Sequence, residues 1–303
     1  MLEIPPGTVA VGTQLPIQTQ TTLLAGPWEA GATPADLMAI ARAADRSGYL
    51  YVAACDHIAI PRDRAEAMSL WWQDTFTTLG WLAAGTERAA LLTHVYVLAL
   101  RHPLVAAKAF ATLDHLSGGR AVVGIGVGHV QEEFDALGVP FAERGRLTDE
   151  KLPQLAEALE HTWVGDLGAL PRPVQSPRPP IWIGGSGAPA VRRAAAWDGW
   201  LPQGPATPDA IDRIRRLREE AGTADQPFAV GHIVTSWLHV GTPIHELRPT
   251  SLAGSPEQLA EAVRAQLPAG VNQVQVRFDA PSATAYAEQV EAFGRDVIPL
   301  LQP

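Results

Sequence analysis

The sequence predicts a (β/α)₈ TIM barrel, and two observations lead to this fold class. Apolar, β-branched segments recur eight times along the 303 residues, and a helical segment follows each of them. That alternation is typical of a parallel sheet with crossover helices. Eight units without a composition break favour one closed barrel over residues 1–303, with loops after the strands as its active face. The predicted strands are Thr8–Leu15, Tyr49–Cys55, Ala90–Leu98, Ala121–Ile125, Pro180–Gly184, Gly199–Pro202, Phe228–Leu238 and Asn272–Phe278.

The helices between these strands carry recognisable starts. Thr33, Thr207 and Ser255 each place a capping hydroxyl before a proline, which suits the first helical position. The predicted helices are Pro34–Ser47, Thr75–Thr86, Pro103–His115, Arg144–Trp163, Ala188–Trp197, Pro208–Ala221, Pro256–Leu267 and Ala283–Leu301.

Composition narrows the class of protein. The formal net charge is −9, which argues against a nucleic-acid-binding surface, and an anionic ligand would need local donors. Cys55 is the only cysteine, so no internal disulfide forms, which fits a reducing compartment. The amino terminus does not resemble a signal peptide, and no apolar stretch is long enough for a membrane span. We therefore expect a cytoplasmic protein without nucleic-acid or membrane partners.

Two segments at predicted strand ends are candidates for chemistry. His57, beside Asp56 at the end of the second strand, is placed to exchange a proton near neutral pH, although a rim histidine paired with a carboxylate explains it equally well. The glycines from Gly124 to Gly128 end the fourth strand. They either admit a flat ligand or give space for packing between strands. They do not form a dinucleotide-binding fingerprint, because His129 stands where that motif requires its third glycine. Cys55 is expected to be a buried apolar residue.

A third segment, Gly184 to Gly187, follows the fifth strand and precedes a helix. Free N–H groups at such a helix start suit a phosphate, although an ordinary glycine-rich turn fits as well. No metal-binding spacing is found among the nine histidines, and no serine-hydrolase elbow is present.

A longer composite pattern identifies a family resemblance. Leu113 to Gly128 reads LDHLSGGRAVVGIGVG, and Gly12 to Pro16, Arg101-His102-Pro103 and Ile183 to Gly187 join it. With these motifs the chain closely resembles the luciferase-like monooxygenase superfamily over nearly its whole length. Gln14-Leu15-Pro16, Asp56-His57 and Arg101-His102-Pro103 are most similar to its members that use the deazaflavin coenzyme F420, while FMN-dependent relatives share much of the pattern.

The resemblance implies where a cofactor binds. The ring would lie near the ends of strands one to four, and the phosphate near Gly184 to Gly187. His57 would be the catalytic residue beside the ring, and His129, facing it across the ring, a second proton donor. Members often carry a non-proline cis peptide behind the ring, which maps to His94-Val95. The predicted cofactor-binding residues are Gln14, Asp56, His94, Val95, Val97, Gly126, Gly128, Gly184, Gly185, Ser186 and Gly187.

Three functions therefore compete. We expect an F420-dependent oxidoreductase that transfers a hydride to or from a small organic substrate, with histidine-assisted proton transfer. The rivals are an FMN-dependent monooxygenase and a barrel that binds flavin without catalysis. His129 stands where related sugar-phosphate dehydrogenases carry a glutamate, which argues against sugar-phosphate oxidation. Dimers are common among the relatives, and the apolar helices after strands two and three offer an interface.

Overall fold

Eight parallel strands close into a barrel in the computed structural model, which describes residues 2–21 and 24–302. Each strand pairs with the next along the chain, and the last pairs with the first, Ala10 lying opposite Gln273. The predicted (β/α)₈ barrel is therefore confirmed. The strands are β1 (Ala10–Gln14), β2 (Tyr51–Ala54), β3 (Ala90–Thr93), β4 (Ala121–Gly126), β5 (Ile181–Gly184), β6 (Gly199–Leu201), β7 (Ala229–Ile233) and β8 (Gln273–Val276).

Eight helices follow these strands. The hydroxyls of Thr33, Thr207 and Ser255 accept backbone N–H groups of the first helical turn, so the three predicted caps are confirmed. The helices are α1 (Pro34–Arg46), α2 (Thr75–Ala83), α3 (Pro103–Ser117), α4 (Arg144–Glu160), α5 (Ala188–Ala195), α6 (Pro208–Glu220), α7 (Pro256–Arg264) and α8 (Ala283–Ala292). No helix in the described part of the chain is long and apolar enough to cross a membrane.

Four predicted boundaries were wrong. The fourth helix ends at Glu160, and Trp163–Val164 forms a strand paired with Leu167–Gly168. The third strand is interrupted by the cis peptide bond His94-Val95, after which Tyr96–Val97 pairs with the end of β4. The seventh strand ends at Ile233, and Trp237–Val240 forms a separate strand that pairs with Ser251–Gly254, while Leu238 also bridges Phe278 just beyond β8. The last predicted helix is broken by a π-helical turn at Phe293–Val297, where the following Pro299 has no N–H to continue the helical bonding.

Aromatic side chains fill the lower half of the barrel. Tyr51 and Trp182 meet edge to face with ring centroids 6.0 Å apart. Two glycines leave room for them, because a Cβ on Gly12 would lie 2.1 Å from the Tyr51 ring and one on Gly199 would lie 2.5 Å from Trp182. Since this end is packed, the barrel interior leaves space for a ligand at the carboxyl ends of the strands.

Exposed apolar side chains lie on the outer faces of α2 and α3. Trp81, Val105 and Leu116 are 41%, 65% and 68% exposed. A homodimer formed through these two helices stays a prediction.

Candidate active site

His57 lies in the loop directly after β2 and is held by a carboxylate from the other side of the barrel mouth. Its Nδ1 is 3.0 Å from Oε2 of Glu133, which belongs to the short helix Gln131–Ala136 after β4. Both side chains are largely buried, at 11% and 3% exposed. The contact joins the two strand ends that the sequence singles out.

Glu133 is oriented by two further donors. Its Oε1 accepts the backbone N–H groups of Ile58 at 2.5 Å and Ala59 at 3.1 Å. Burial alone would raise the pKa of Glu133, but the hydrogen bonds from His57 and these N–H groups outweigh it, so the pKa lies below the ordinary value. An ionised Glu133 accepts the Nδ1 proton of His57, which leaves Nε2 as the atom that can exchange a proton.

Two aromatic rings enclose His57. Trp72 meets its imidazole at 4.3 Å, and His129 meets it at 5.3 Å with the ring planes 87° apart. Partial burial and the neighbouring His57 lower the pKa of His129. The expectation that His129 faces His57 across a cofactor ring was wrong, because imidazoles in edge-to-face contact leave no room for a ring between them. The two histidines lie on the same side of the mouth.

Asp56 is buried and paired with an arginine. Its carboxylate binds the Arg101 guanidinium through two oxygens, at 2.5 Å and 2.7 Å, and accepts the N–H of Val97 at 2.8 Å. The arginine also lies 4.5 Å from the centre of the Tyr96 ring. Because both carboxylate oxygens are occupied, Asp56 fixes the segment after the cis peptide instead of offering an acceptor to a ligand.

Packing accounts for the glycines at the ends of β4 and β5. A Cβ on Gly126 would lie 2.3 Å from Val95 Cγ2, and one on Gly184 would lie 2.7 Å from Val95 Cγ1. A Cβ on Gly128 would meet Phe134 at 2.8 Å. The space that these glycines leave is occupied by protein side chains, and their contact with a cofactor stays a prediction.

A narrow cleft opens at the mouth between the ends of β1 and β8. Gln14 and Gln275 line it, and their side-chain amides approach each other at 3.5 Å. Oε1 of Gln275 and Nε2 of nearby Gln18 are buried without a hydrogen-bond partner among the residues that the structure describes. Buried amides are seldom left unpaired, so these atoms indicate where a polar ligand would bind.

Cys55 and His94 also lie at this end of the barrel. Burial raises the pKa of the Cys55 thiol to about 12, and Gln14 Nε2 donates to its sulfur at 2.9 Å. Burial, and then the charge of Arg277, lower the pKa of His94 to about 4, so its ring is neutral near neutral pH. Neither group is therefore a charged partner for a ligand.

The segment Gly184 to Gly187 leads into the start of α5. Gly185 has a φ of +116°, and the Ser186 hydroxyl accepts the Gln203 N–H at 2.9 Å. The N–H groups of Ser186, Gly187 and Ala188 have no backbone acceptor within the described ranges. They lie at the N-terminus of α5, the positive end of its dipole, which suits an anion. Metal ligands are not grouped in threes or more anywhere in residues 2–21 and 24–302.

The model of the luciferase-like monooxygenase family matches residues 9–248. The chain belongs to this family. An uncharacterized Mycobacterium tuberculosis protein is 31% identical over 220 residues, which span 65% of this chain and 75% of that protein. A second protein of that organism, named only provisionally as a coenzyme F420-dependent oxidoreductase, is 32% identical over 154 residues, or 44% of each chain.

Solved structures share the fold of this luciferase-like chain. The F420-dependent tetrahydromethanopterin reductase of Methanopyrus kandleri is 20% identical, with a TM-score of 0.73 over 97% of this chain and 100% of that one. A monooxygenase of Streptomyces bottropensis is also 20% identical, with a TM-score of 0.77 over 96% and 99% of the two chains. Both likenesses show the luciferase-like barrel.

Sequence reasoning missed several residues of the luciferase-like site. Glu133 carries no local signal of its role, because its pairing with His57 joins positions 76 residues apart. Trp72 lies in the loop between β2 and α2, where no local pattern indicates its contact with His57. Arg277 has a signal that was overlooked, because it continues the inward alternation of Gln273 and Gln275 beyond β8.

Proposed function

We propose that this protein is an F420-dependent oxidoreductase that transfers a hydride between the deazaflavin ring and a small organic substrate. The observation that carries the proposal is the His57–Glu133 pair at the carboxyl end of the barrel. A carboxylate behind Nδ1 fixes the imidazole and leaves Nε2 for a proton that moves with the hydride. Membership of a family of oxidoreductases and monooxygenases agrees with this chemistry.

The residues at the mouth fit such a cofactor in two places. Gln14, Gln18 and Gln275 offer amide donors and acceptors, of which Gln18 Nε2 and Gln275 Oε1 lack partners in the described chain. The N–H groups from Ser186 to Ala188 offer donors for a phosphate. When bound there, a deazaflavin would supply or accept the hydride. This chain's own residues would position the ring, exclude water and handle the proton.

His57 is the proposed proton-transfer residue. Trp72 covers one side of its imidazole and limits access of water, while Glu133 fixes which nitrogen carries the proton. His129 lies against His57 and is neutral near neutral pH because its pKa is lowered. We assign it the role of relaying a proton between His57 and solvent, since the two rings are in contact.

An FMN-dependent monooxygenase is the second candidate. The family model is that of the monooxygenases, and structures with FMN-related chemistry share the barrel, among them a riboflavin lyase with a TM-score of 0.77 and 14% identity. The provisional F420 oxidoreductase, at 32% identity, favours the deazaflavin. A flavin-binding barrel without catalysis would not need the His57–Glu133 pair.

Replacement of His57 by alanine tests the proposed role. Secondary alcohols would be offered with oxidised F420, and α,β-unsaturated ketones with reduced F420, while the deazaflavin absorbance is followed. We expect His57→Ala to bind F420 as the wild type does but to turn over about 100-fold more slowly. His115→Ala, an exposed histidine on α3, is the matched control and should keep full activity. Unchanged turnover in His57→Ala would refute the assignment.

A further inference from the structure

Arg277 lies at the inner rim of the barrel mouth. Along β8 the side chains of Gln273 and Gln275 face the barrel interior, where they meet Tyr51 and Gln14. Val274 and Val276 belong to the apolar core between strands and helices. Arg277 is the next residue on the inward face, just past the end of β8, and it lines the cleft with Gln14 and Gln275.

The guanidinium of Arg277 has no acceptor of its own. It forms no ion pair and donates no hydrogen bond to any residue that the structure describes, and it lies 5.3 Å from the centre of the Trp237 ring. Arg248 lies over the same ring at 4.0 Å, but its Nη2 donates to the Ala25 carbonyl at 2.6 Å. An arginine carries five N–H donors, and a half-buried one without a partner is costly unless a ligand satisfies it.

The neighbouring ionisable groups form no ion pair with the Arg277 guanidinium. Glu29 lines the same cleft, yet its carboxylate oxygens accept the N–H groups of Ile17 at 2.7 Å and Gly26 at 2.6 Å. His94 is the ionisable side chain that β3 places at this end, and it is neutral near neutral pH. Among the described residues that line the cleft, no carboxylate is therefore paired with the Arg277 guanidinium.

We propose that Arg277 binds a carboxylate group of the substrate, so that the substrates of this enzyme are small organic acids. The inference rests on the proposed function, because it assigns a substrate class to the same site. A planar guanidinium fork matches a carboxylate with two parallel hydrogen bonds. β8 and β2 flank β1, so Arg277 and His57 follow strands whose axes lie about 10 Å apart at the same end of the barrel. An acid bound at Arg277 would therefore share the barrel mouth with His57.

Calorimetric titration with a matched pair of probes tests this proposal. Benzoate and its neutral isostere benzamide would be titrated into the protein, both free of cofactor and loaded with oxidised F420. We expect benzoate to bind about 10-fold to 100-fold more tightly than benzamide in the wild type. Arg277→Gln should abolish this preference and Arg277→Lys should keep part of it. Arg213→Gln, which removes an exposed charge on α6, is the control and should keep it in full.

The outcomes separate the proposal from the proposed function. Equal binding of benzoate and benzamide by the wild type, or a preference that survives Arg277→Gln in a folded variant, would overturn it. Loss of F420 affinity in Arg277→Gln with an unchanged benzoate preference would instead assign the arginine to the cofactor and also overturn it. Failure of F420 to bind at all would refute the proposed function, while the cofactor-free titration would still decide whether Arg277 selects carboxylates. Circular dichroism would check the fold of each variant.

Discussion

Replacing Asp56 by asparagine is expected to destabilise the protein strongly, although asparagine keeps the size and shape of the side chain. Asp56 has a side chain that is 4% exposed, and its partner Arg101 is 19% exposed. Loss of the carboxylate leaves a largely buried guanidinium without its counter-charge, which costs about 3–5 kcal/mol. The Val97 N–H also loses its charged acceptor. We therefore expect the free energy of unfolding to fall by at least about 3 kcal/mol.

Urea unfolding followed by circular dichroism measures this change. The exposed pair Asp212–Arg215 on α6 provides the matched control, and Asp212→Asn should have little effect because exposed pairs contribute little. The double variant Asp56→Asn with Arg101→Met should be no less stable than Asp56→Asn, since it leaves no buried charge unpaired. If Asp56→Asn unfolded like the wild type but bound F420 more weakly, our assignment of Asp56 to structure would be refuted in favour of cofactor binding.

Three further predictions address the site and its support. Glu133→Gln should lower turnover about 10-fold to 100-fold at unchanged F420 affinity, since it removes the negative charge behind His57. The dependence of turnover on pH should change as well, and an unchanged dependence in steady-state assays would contradict this. The pKa of Asp45 is lowered because its carboxylate accepts the N–H groups of Glu87, Arg88 and Ala89, which outweighs the opposing effect of burial. The stabilisation that Asp45 provides should be complete above the pKa of its carboxyl in the unfolded chain, and it should be lost as the pH falls through the pKa in the folded protein. Asp45→Asn should therefore weaken the loss of stability at acid pH, measured by urea unfolding at several pH values. Gly126→Ala should cost about 1–3 kcal/mol through its overlap with Val95, and Val95→Ala should restore part of the loss if that contact is the cause.

Much of the fold could be predicted from the sequence because each strand and helix has a characteristic local sequence pattern. The apolar segments predict all eight barrel strands. A capping hydroxyl followed by a proline, at Thr33, Thr207 and Ser255, predicts three helix starts. The run Phe228–Leu238 was read as one strand because its apolar character is continuous. Residues 237–240 form a separate strand that pairs with residues 251–254, and no local pattern in the sequence indicates that pairing.

The site could be predicted in position but not in geometry. Strand ends placed His57 and Gly184 to Gly187 at one face of the barrel, because a parallel barrel gathers all carboxyl ends together. The pairing of His57 with Glu133 and of Asp56 with Arg101 depends on how loops fold over the mouth. The role of Arg277 depends on its lack of a partner, which only the assembled cleft reveals.

Competitive binding of oxidised F420 and FMN tests the central claim most directly. The protein would be titrated with each cofactor separately and then with both, and binding would be followed by the fluorescence of the cofactor. Gly187→Asp, which places a negative charge at the start of α5, should weaken both through repulsion of their phosphates if that segment holds them. We expect F420 to bind more tightly than FMN and to displace it. Tighter binding of FMN, or binding of neither, would contradict it.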